Sequence, residues 1–168
     1  MSVSFSDLSD AIADLVATTS SSLLTVHGGG RRPSSGVAWS ADGLVFCAAH
    51  TLEREDDLAV TLPTGARVAA SLVGVDPSTD LALLRVQVAL TPPEWAEAGT
   101  IRPGHLVLAL GRPRGEAMAT LGLIRAVGGA SVTVIVFVRS NVWLASSLKV
   151  TLSTISPGTE RSFHWAWA

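Results

Sequence analysis

Apolar positions recur along this chain with two different periods. Leu8, Ile12, Leu15 and Val16 follow one another at intervals of three and four, the spacing of one face of a helix. Ser6 or Ser9 can cap the start, and Asp7, Asp10 and Asp14 fall in early turns, where the helix dipole favours negative charge. A helix over 6–19 is therefore predicted. From residue 23 onward the apolar runs are strand-length and rich in β-branched residues. Leu23 to His27 is the first, and Gly28 to Gly36 reads as a loop. Val37 to Ser40 and Leu44 to Cys47 flank Asp42-Gly43, a strong hairpin dipeptide. Leu58 to Leu62 turns at Pro63-Thr64-Gly65 and returns as Ala66 to Val75. Asp76-Pro77-Ser78 turns again into Leu81 to Val86. Thr91-Pro92-Pro93 opens a linker that lasts to Pro103-Gly104. Strands then resume with His105 to Leu110, Ala119 to Val127 and the apolar run Val132 to Val138. Frequent turn signals with no intervening helices predict a barrel or sandwich rather than βαβ units. The break at 91–104 separates two β units, the first complete and the second only begun.

Composition narrows the function classes. With 48% hydrophobic and 15% charged residues in 168, most of the chain can bury a core and is not disordered. A net charge of −2 provides no basic excess for a nucleic-acid backbone, so no nucleic-acid partner is expected. No apolar run approaches the ~18 residues of a membrane span. The single cysteine, Cys47, excludes an internal disulfide and a multi-cysteine zinc site, and its apolar strand makes it a small core residue. His27, His105 and His164 form no zinc-ligand spacing with it and read as surface or barrel-end residues, so no metal or cofactor is expected. Gly28-Gly29-Gly30-Arg31-Arg32 lacks the Lys-Ser/Thr ending of a phosphate loop and leads into no helix; it reads as a mobile hairpin loop. Glu53-Arg54-Glu55-Asp56-Asp57 reads as a solvated loop. The polar N-terminus, Met-Ser-Val-Ser-Phe-Ser-Asp, has no basic segment followed by an apolar stretch; the expected compartment is cytoplasmic by default.

Residues 1–130 contain no Lys and no Asn, whereas Lys149, Asn141 and three of the five Trp (Trp143, Trp165, Trp167) lie beyond 130. The acidic residues show the same asymmetry, with Glu160 alone in the tail. Chance in a short segment is one explanation. A change of reading frame near residue 130 is the other.

Three stretches carry a specific pattern. Ser35-Gly36-Val37 through Asp42-Gly43 to Cys47-Ala48-Ala49-His50 puts a histidine just after a hairpin strand. Asp76-Pro77-Ser78-Thr79-Asp80-Leu81-Ala82-Leu83-Leu84 puts an aspartate at the mouth of another. Arg102-Pro103-Gly104-His105 through Gly111-Arg112-Pro113, followed by Gly122-Leu123-Ile124, opens the second unit. Taken together, residues 8–130 resemble the trypsin/chymotrypsin-like serine peptidases, in their bacterial HtrA/Deg-type branch. The resemblance implies an all-β, trypsin-like double β-barrel, with the first barrel complete, the second partial, and a short N-terminal helix. It divides the chain into a helix at 1–20, a first barrel at 21–90 and a linker at 91–104. A second barrel would begin at 105–130, and an atypical tail at 131–168 would follow. It further implies polypeptide substrates, with His50 as general base and Asp80 as the acid that orients it.

The family's nucleophile phrase, Gly-x-Ser-Gly-Gly, does not occur in the sequence. The nearest echo, Ile155-Ser156-Pro157-Gly158-Thr159-Glu160-Arg161-Ser162, puts Glu160 where the serine belongs and side chains where glycines would free the backbone to form an oxyanion hole. Three readings follow. The chain is an endopeptidase by family but inactive as written, or a pseudoprotease that binds unfolded peptides without turnover, or a non-functional truncated remnant.

Overall fold

The computed structural model describes residues 4–30, 32–54, 56–95 and 100–128, and the backbone of 131–136, 147–152 and 163–166. Helix α1 spans Phe5–Thr19. Its cap is Ser4 rather than Ser6 or Ser9. Ser4 Oγ accepts from the Asp7 amide at 3.1 Å, and Asp7 Oδ2 accepts from the Ser4 amide at 3.0 Å. This reciprocal box satisfies two donors at once, which neither of the expected caps could do. The apolar face is only partly covered: Ile12 and Val16 are half-buried, Leu8 and Leu15 are 40% and 55% exposed, and no helix residue is fully buried.

Strands β1 (Leu23–His27), β2 (Ser34–Ala38), β3 (Leu44–Ala48), β4 (Ala59–Thr61), β5 (Arg67–Asp76) and β6 (Leu81–Val86) close an antiparallel barrel in the order β1-β2-β3-β6-β5-β4. Residues 34–36, expected in the loop, belong to β2, paired as Ser34↔Val26, Ser35↔Thr25 and Gly36↔Leu24. Local composition suggested a loop; cross-strand pairing overrides it. Gly36 is required by packing, because a Cβ there would meet Val26 Cγ2 at 2.7 Å and Val45 Cγ1 at 3.0 Å. The Asp42-Gly43 hairpin forms as expected, with Gly43 at φ +95°. Leu24, Val26, Val45, Val60, Leu84 and Val86 fill the barrel almost free of solvent, together with Cys47. Each such burial contributes about 1.5–3 kcal/mol relative to an exposed side chain.

The second half is an open five-stranded sheet in the order β11-β10-β9-β8-β7. Its strands are β7 (Leu106–Gly111), β8 (Met118–Gly128), β9 (Ser131–Val136), β10 (Ser147–Leu152) and β11 (Phe163–Ala166). The last three strands lie in the stretch that composition set apart. Leu106, Leu121 and Leu123 are 40–51% exposed, so the described side chains of β7 and β8 are far wetter than those of the first barrel. Trp39, just past β2, meets Phe46 edge-on and Trp95 of the linker at a tilt of 51°, each with ring centroids 4.8 Å apart, which ties the linker to the first barrel.

Candidate active site

Pairing register explains how two residues thirty positions apart become neighbours. Strands β3 and β6 run antiparallel with Ala48 opposite Leu81. The next step of that ladder places Ala49 opposite Asp80, and the Ala49 amide donates to the Asp80 carbonyl at 2.9 Å. Strand β3 then curls into a 3-10 turn, Ala49–Thr51, which lifts His50 to the rim. The His50 amide donates to Asp80 Oδ1 at 2.8 Å, and His50 Nδ1 lies 2.5 Å from Asp80 Oδ2. A carboxylate oxygen accepts, so Nδ1 carries the proton in this pair. Nε2 is left as the acceptor, and among the described residues it has no hydrogen-bond partner. The His50 side chain is 53% exposed and that of Asp80 is 24% exposed.

Asp80 sits at φ +56°, in the left-handed region that a side chain other than Gly, Asn or Asp rarely adopts. Such a conformation costs on the order of 1–3 kcal/mol and persists where its surroundings over-determine it. Here the three bonds to Ala49 and His50 do so from one side. The turn Asp76–Thr79 does so from the other. Asp76 Oδ1 accepts from the Ser78 amide and hydroxyl at 2.9 and 2.6 Å, and its Oδ2 accepts from Thr79 Oγ1 at 2.8 Å. These bonds hold the Asp76 carboxyl below its usual range, and Thr79 is buried. The His50 turn is also anchored: Thr51 Oγ1 donates to the Ala48 carbonyl at 2.7 Å and lies 2.9 Å from Ser34 Oγ, while the Gly28 carbonyl accepts from the Glu53 and Arg54 amides at 2.8 and 3.2 Å. Ser34, Thr51, Asp76 and Thr79 were not singled out as supports from the sequence. The Asp-x-Ser-Thr turn pattern was the available signal for the last two.

Other candidates fall away from this pair. Cys47 is buried one strand position from the turn. Burial, with the Asp80 carboxylate adding to it, pushes its thiol up to about 12. His27 lies at the end of β1, with Nε2 at 2.9 Å from Thr61 Oγ1, and the ring of His105 faces Arg102. No metal-holding group of three or more acids, histidines or cysteines occurs among the described residues. A cavity of about 470 Å³ is lined by His27, Arg54, Asp56, Asp57 and Arg67, and excludes both His50 and Asp80. The Glu160 echo, the side chain of His164 and residues 137–138 of the long apolar run lie outside the described residues.

This barrel, with its rim histidine and aspartate, can be set beside known proteins. The trypsin-like peptidase domain family matches residues 34–159. The chain belongs to that family. The match runs past residue 130, into the compositionally distinct tail. A "Probable periplasmic serine endoprotease DegP-like" of Marinomonas sp. strain MWYL1 is 37% identical over 103 residues, covering 59% of this chain and 22% of that protein. One of the same description from Chlamydia trachomatis serovar D is 34% identical over 96 residues, covering 56% and 19%. The chain thus spans about a fifth of the length of these relatives. The solved structure of Deg5 superposes with a TM-score of 0.68 at 21% identity, covering 84% of this chain and 80% of that one, and shares its fold. Trypsin-like, HtrA-type and all-β are therefore properties of this segment. The cytoplasmic expectation is overturned, because these relatives are named periplasmic. Compartment is set by an address segment rather than by the barrel's chemistry, and the first seven residues were no guide to it. Among the described residues no helix is long and apolar enough to cross a membrane.

Proposed function

We propose that His50 and Asp80 hold the general-base and orienting-acid positions of a trypsin-like acyl-transfer site whose ligands are polypeptides. The observation that carries the reading is the 2.5 Å contact of His50 Nδ1 with Asp80 Oδ2, with Nε2 at the rim and without a hydrogen-bond partner among the described residues. An alcohol is a weak nucleophile at neutral pH. An imidazole fixed as the Nδ1–H tautomer can take its proton at Nε2, and the carboxylate stabilises the imidazolium that forms. The arrangement supplies both parts on strand ends, whose rigidity keeps such distances.

The 168 residues contain no Gly-x-Ser-Gly-Gly phrase, so this chain by itself holds a base without its nucleophile. It binds extended peptides without turnover on this reading. Two measurements test it. Ring-nitrogen NMR should show His50 as the Nδ1–H tautomer at pH 8, shifting to Nε2–H in Asp80→Asn; an Nε2–H wild type removes the base assignment. An alkyl fluorophosphonate should label no serine of the chain, while a carboxymethylated casein peptide binds saturably and stays uncut. Stoichiometric serine labelling, or cleavage of that peptide, overturns the turnover-free reading. Absence of peptide binding favours the remnant reading instead.

A further inference from the structure

We propose that Arg112 is a positioning residue that fastens the second sheet to the first barrel and, through β2, steadies the turn bearing His50. It follows the last residue of β7 and is only 9% exposed, unusual for a guanidinium. Its backbone is gripped from both sides by first-barrel hydroxyls. Thr25 of β1 donates to its carbonyl, and Ser35 Oγ of β2 accepts from its amide at 2.9 Å. The guanidinium reaches back to the helix end, donating to the Ser20 carbonyl at 3.2 Å, and closes its own loop on the Gly115 carbonyl at 2.8 Å. Its buried Nε has no hydrogen-bond partner, and no carboxylate pairs with it among the described residues. The two carbonyls are the acceptors this buried guanidinium has among the described residues, so shifting it out of reach of either would leave more of a buried charge unpaired, which is costly. The approach is close as well, since a Cβ on Gly111 would meet Ser35 Oγ at 2.8 Å.

The same strand end reaches the His50 turn. Ser35, which holds Arg112, is followed backward by Ser34, which holds Thr51, and Thr51 holds the Ala48 carbonyl. The Arg112 amide is therefore two hydrogen bonds from the residue next to His50, along a backbone paired at Thr25 and Val26. The guanidinium acts on this path by fixing where that amide sits, through its bonds to the Ser20 and Gly115 carbonyls. Movement of the second sheet would be felt at the His50 turn along this path. The inference deepens the reading of His50 as a base and takes its functional meaning from that reading. The coupling itself stands on geometry alone.

Amide hydrogen exchange in the intact chain tests it. In Arg112→Met the amides of Ala49 and His50, both donors to Asp80, should exchange about fivefold faster, the equivalent of one ordinary hydrogen bond, after correction for any change in global stability. Arg112→Lys should restore part of the difference, and Arg85→Met, which removes a surface ion pair on the same barrel, should leave both amides unchanged. A merely structural role would speed these amides and the core amides of Val45 and Leu84 by the same factor. That outcome, or no change, overturns the proposal. Arg112→Met loosens the seat of that amide, whereas Ser35→Ala removes the amide's acceptor itself. Ser35→Ala must give the same local acceleration, and its absence overturns the proposal whether or not Arg112→Met folds. These readouts do not depend on the His50 tautomer, so this coupling and the base assignment fail separately.

Discussion

Asp80 shows how much one residue can be asked to do when its backbone is held in a sparsely populated conformation. Its carbonyl and both carboxylate oxygens are spent on two consecutive residues, Ala49 and His50. Position, rather than residue type alone, makes it a partner for an imidazole. Gly36 matters for the opposite reason, through the side chain it lacks. Gly36→Ala would place a methyl against Val26, Val45 and the Phe46 carbonyl, a site with no room to relax outward. Urea unfolding should show a loss of about 1–3 kcal/mol, the usual range for overpacking a filled core. A full-strength Gly36→Ala barrel would show that β2 can shift, and with it Ser34 and Ser35. Cys47 offers a companion test. With its thiol pushed up to about 12, about one molecule in ten thousand is a thiolate at pH 8. Iodoacetamide should leave it unmodified in the folded chain and modify it readily in urea.

At the level of elements, the turn Asp76–Thr79 is a cap for β6 as much as a connection from β5. A register shift between Leu72 and Gly74 re-aims the end of β5 before this turn begins. Asp76 then gathers Ser78 and Thr79, and the chain enters Asp80 in the left-handed conformation already described. Replacing Asp76 by Ala leaves the buried Thr79 hydroxyl with only the long bond to the Asp76 carbonyl. The expected result is a lower melting temperature and several-fold faster exchange of the His50 amide. An unchanged His50 amide would mean that Asp80 is held by the His50 turn alone. Much of this element-level pattern was legible beforehand. The helix, the Asp42-Gly43 hairpin and the strand before Asp80 follow from spacing and turn chemistry. The cap at Ser4 and the strand character of Ser34–Gly36 did not, because one rests on a reciprocal pair of bonds and the other on a partner strand.

The whole molecule responds to pH through groups on the helix and around the first barrel. Burial, with the Arg67 charge second, holds the His27 imidazole below its usual value of 6.5. The unfolded chain therefore takes up a proton first as pH drops through 6.5, and stability falls until the folded imidazole protonates as well. Arg67 on β5 and the neighbouring Arg54, Asp56 and Asp57 share the cavity that His27 faces. Asp7, Asp42 and Asp76 act in a separate, lower window. Their hydrogen bonds hold them below 3.8, so the stability they contribute is present above that value and is lost as pH falls beneath it. Thermal melts should thus decline in two stages on acidification. His27→Gln, which keeps a polar partner for Thr61, should flatten the stage near and below 6.5 and leave the lower one. A single decline below pH 4 would remove His27 from the account.

Sequence alone determined most of the local menu: the helix, the strands of the first barrel apart from the start of β2, where the chain turns, which histidine and aspartate stand at strand mouths, and that Gly-x-Ser-Gly-Gly does not occur. These are properties of a residue and its immediate neighbours, set by side-chain period, backbone sterics and turn chemistry. Only the tertiary structure decided that Ala48 pairs with Leu81, which brings His50 to Asp80, and that Arg112 seats itself against Ser20, Thr25 and Ser35. Such contacts join residues 30 to 92 positions apart. No local pattern encodes them, because they exist only once the closed barrel has brought distant strand ends together in register.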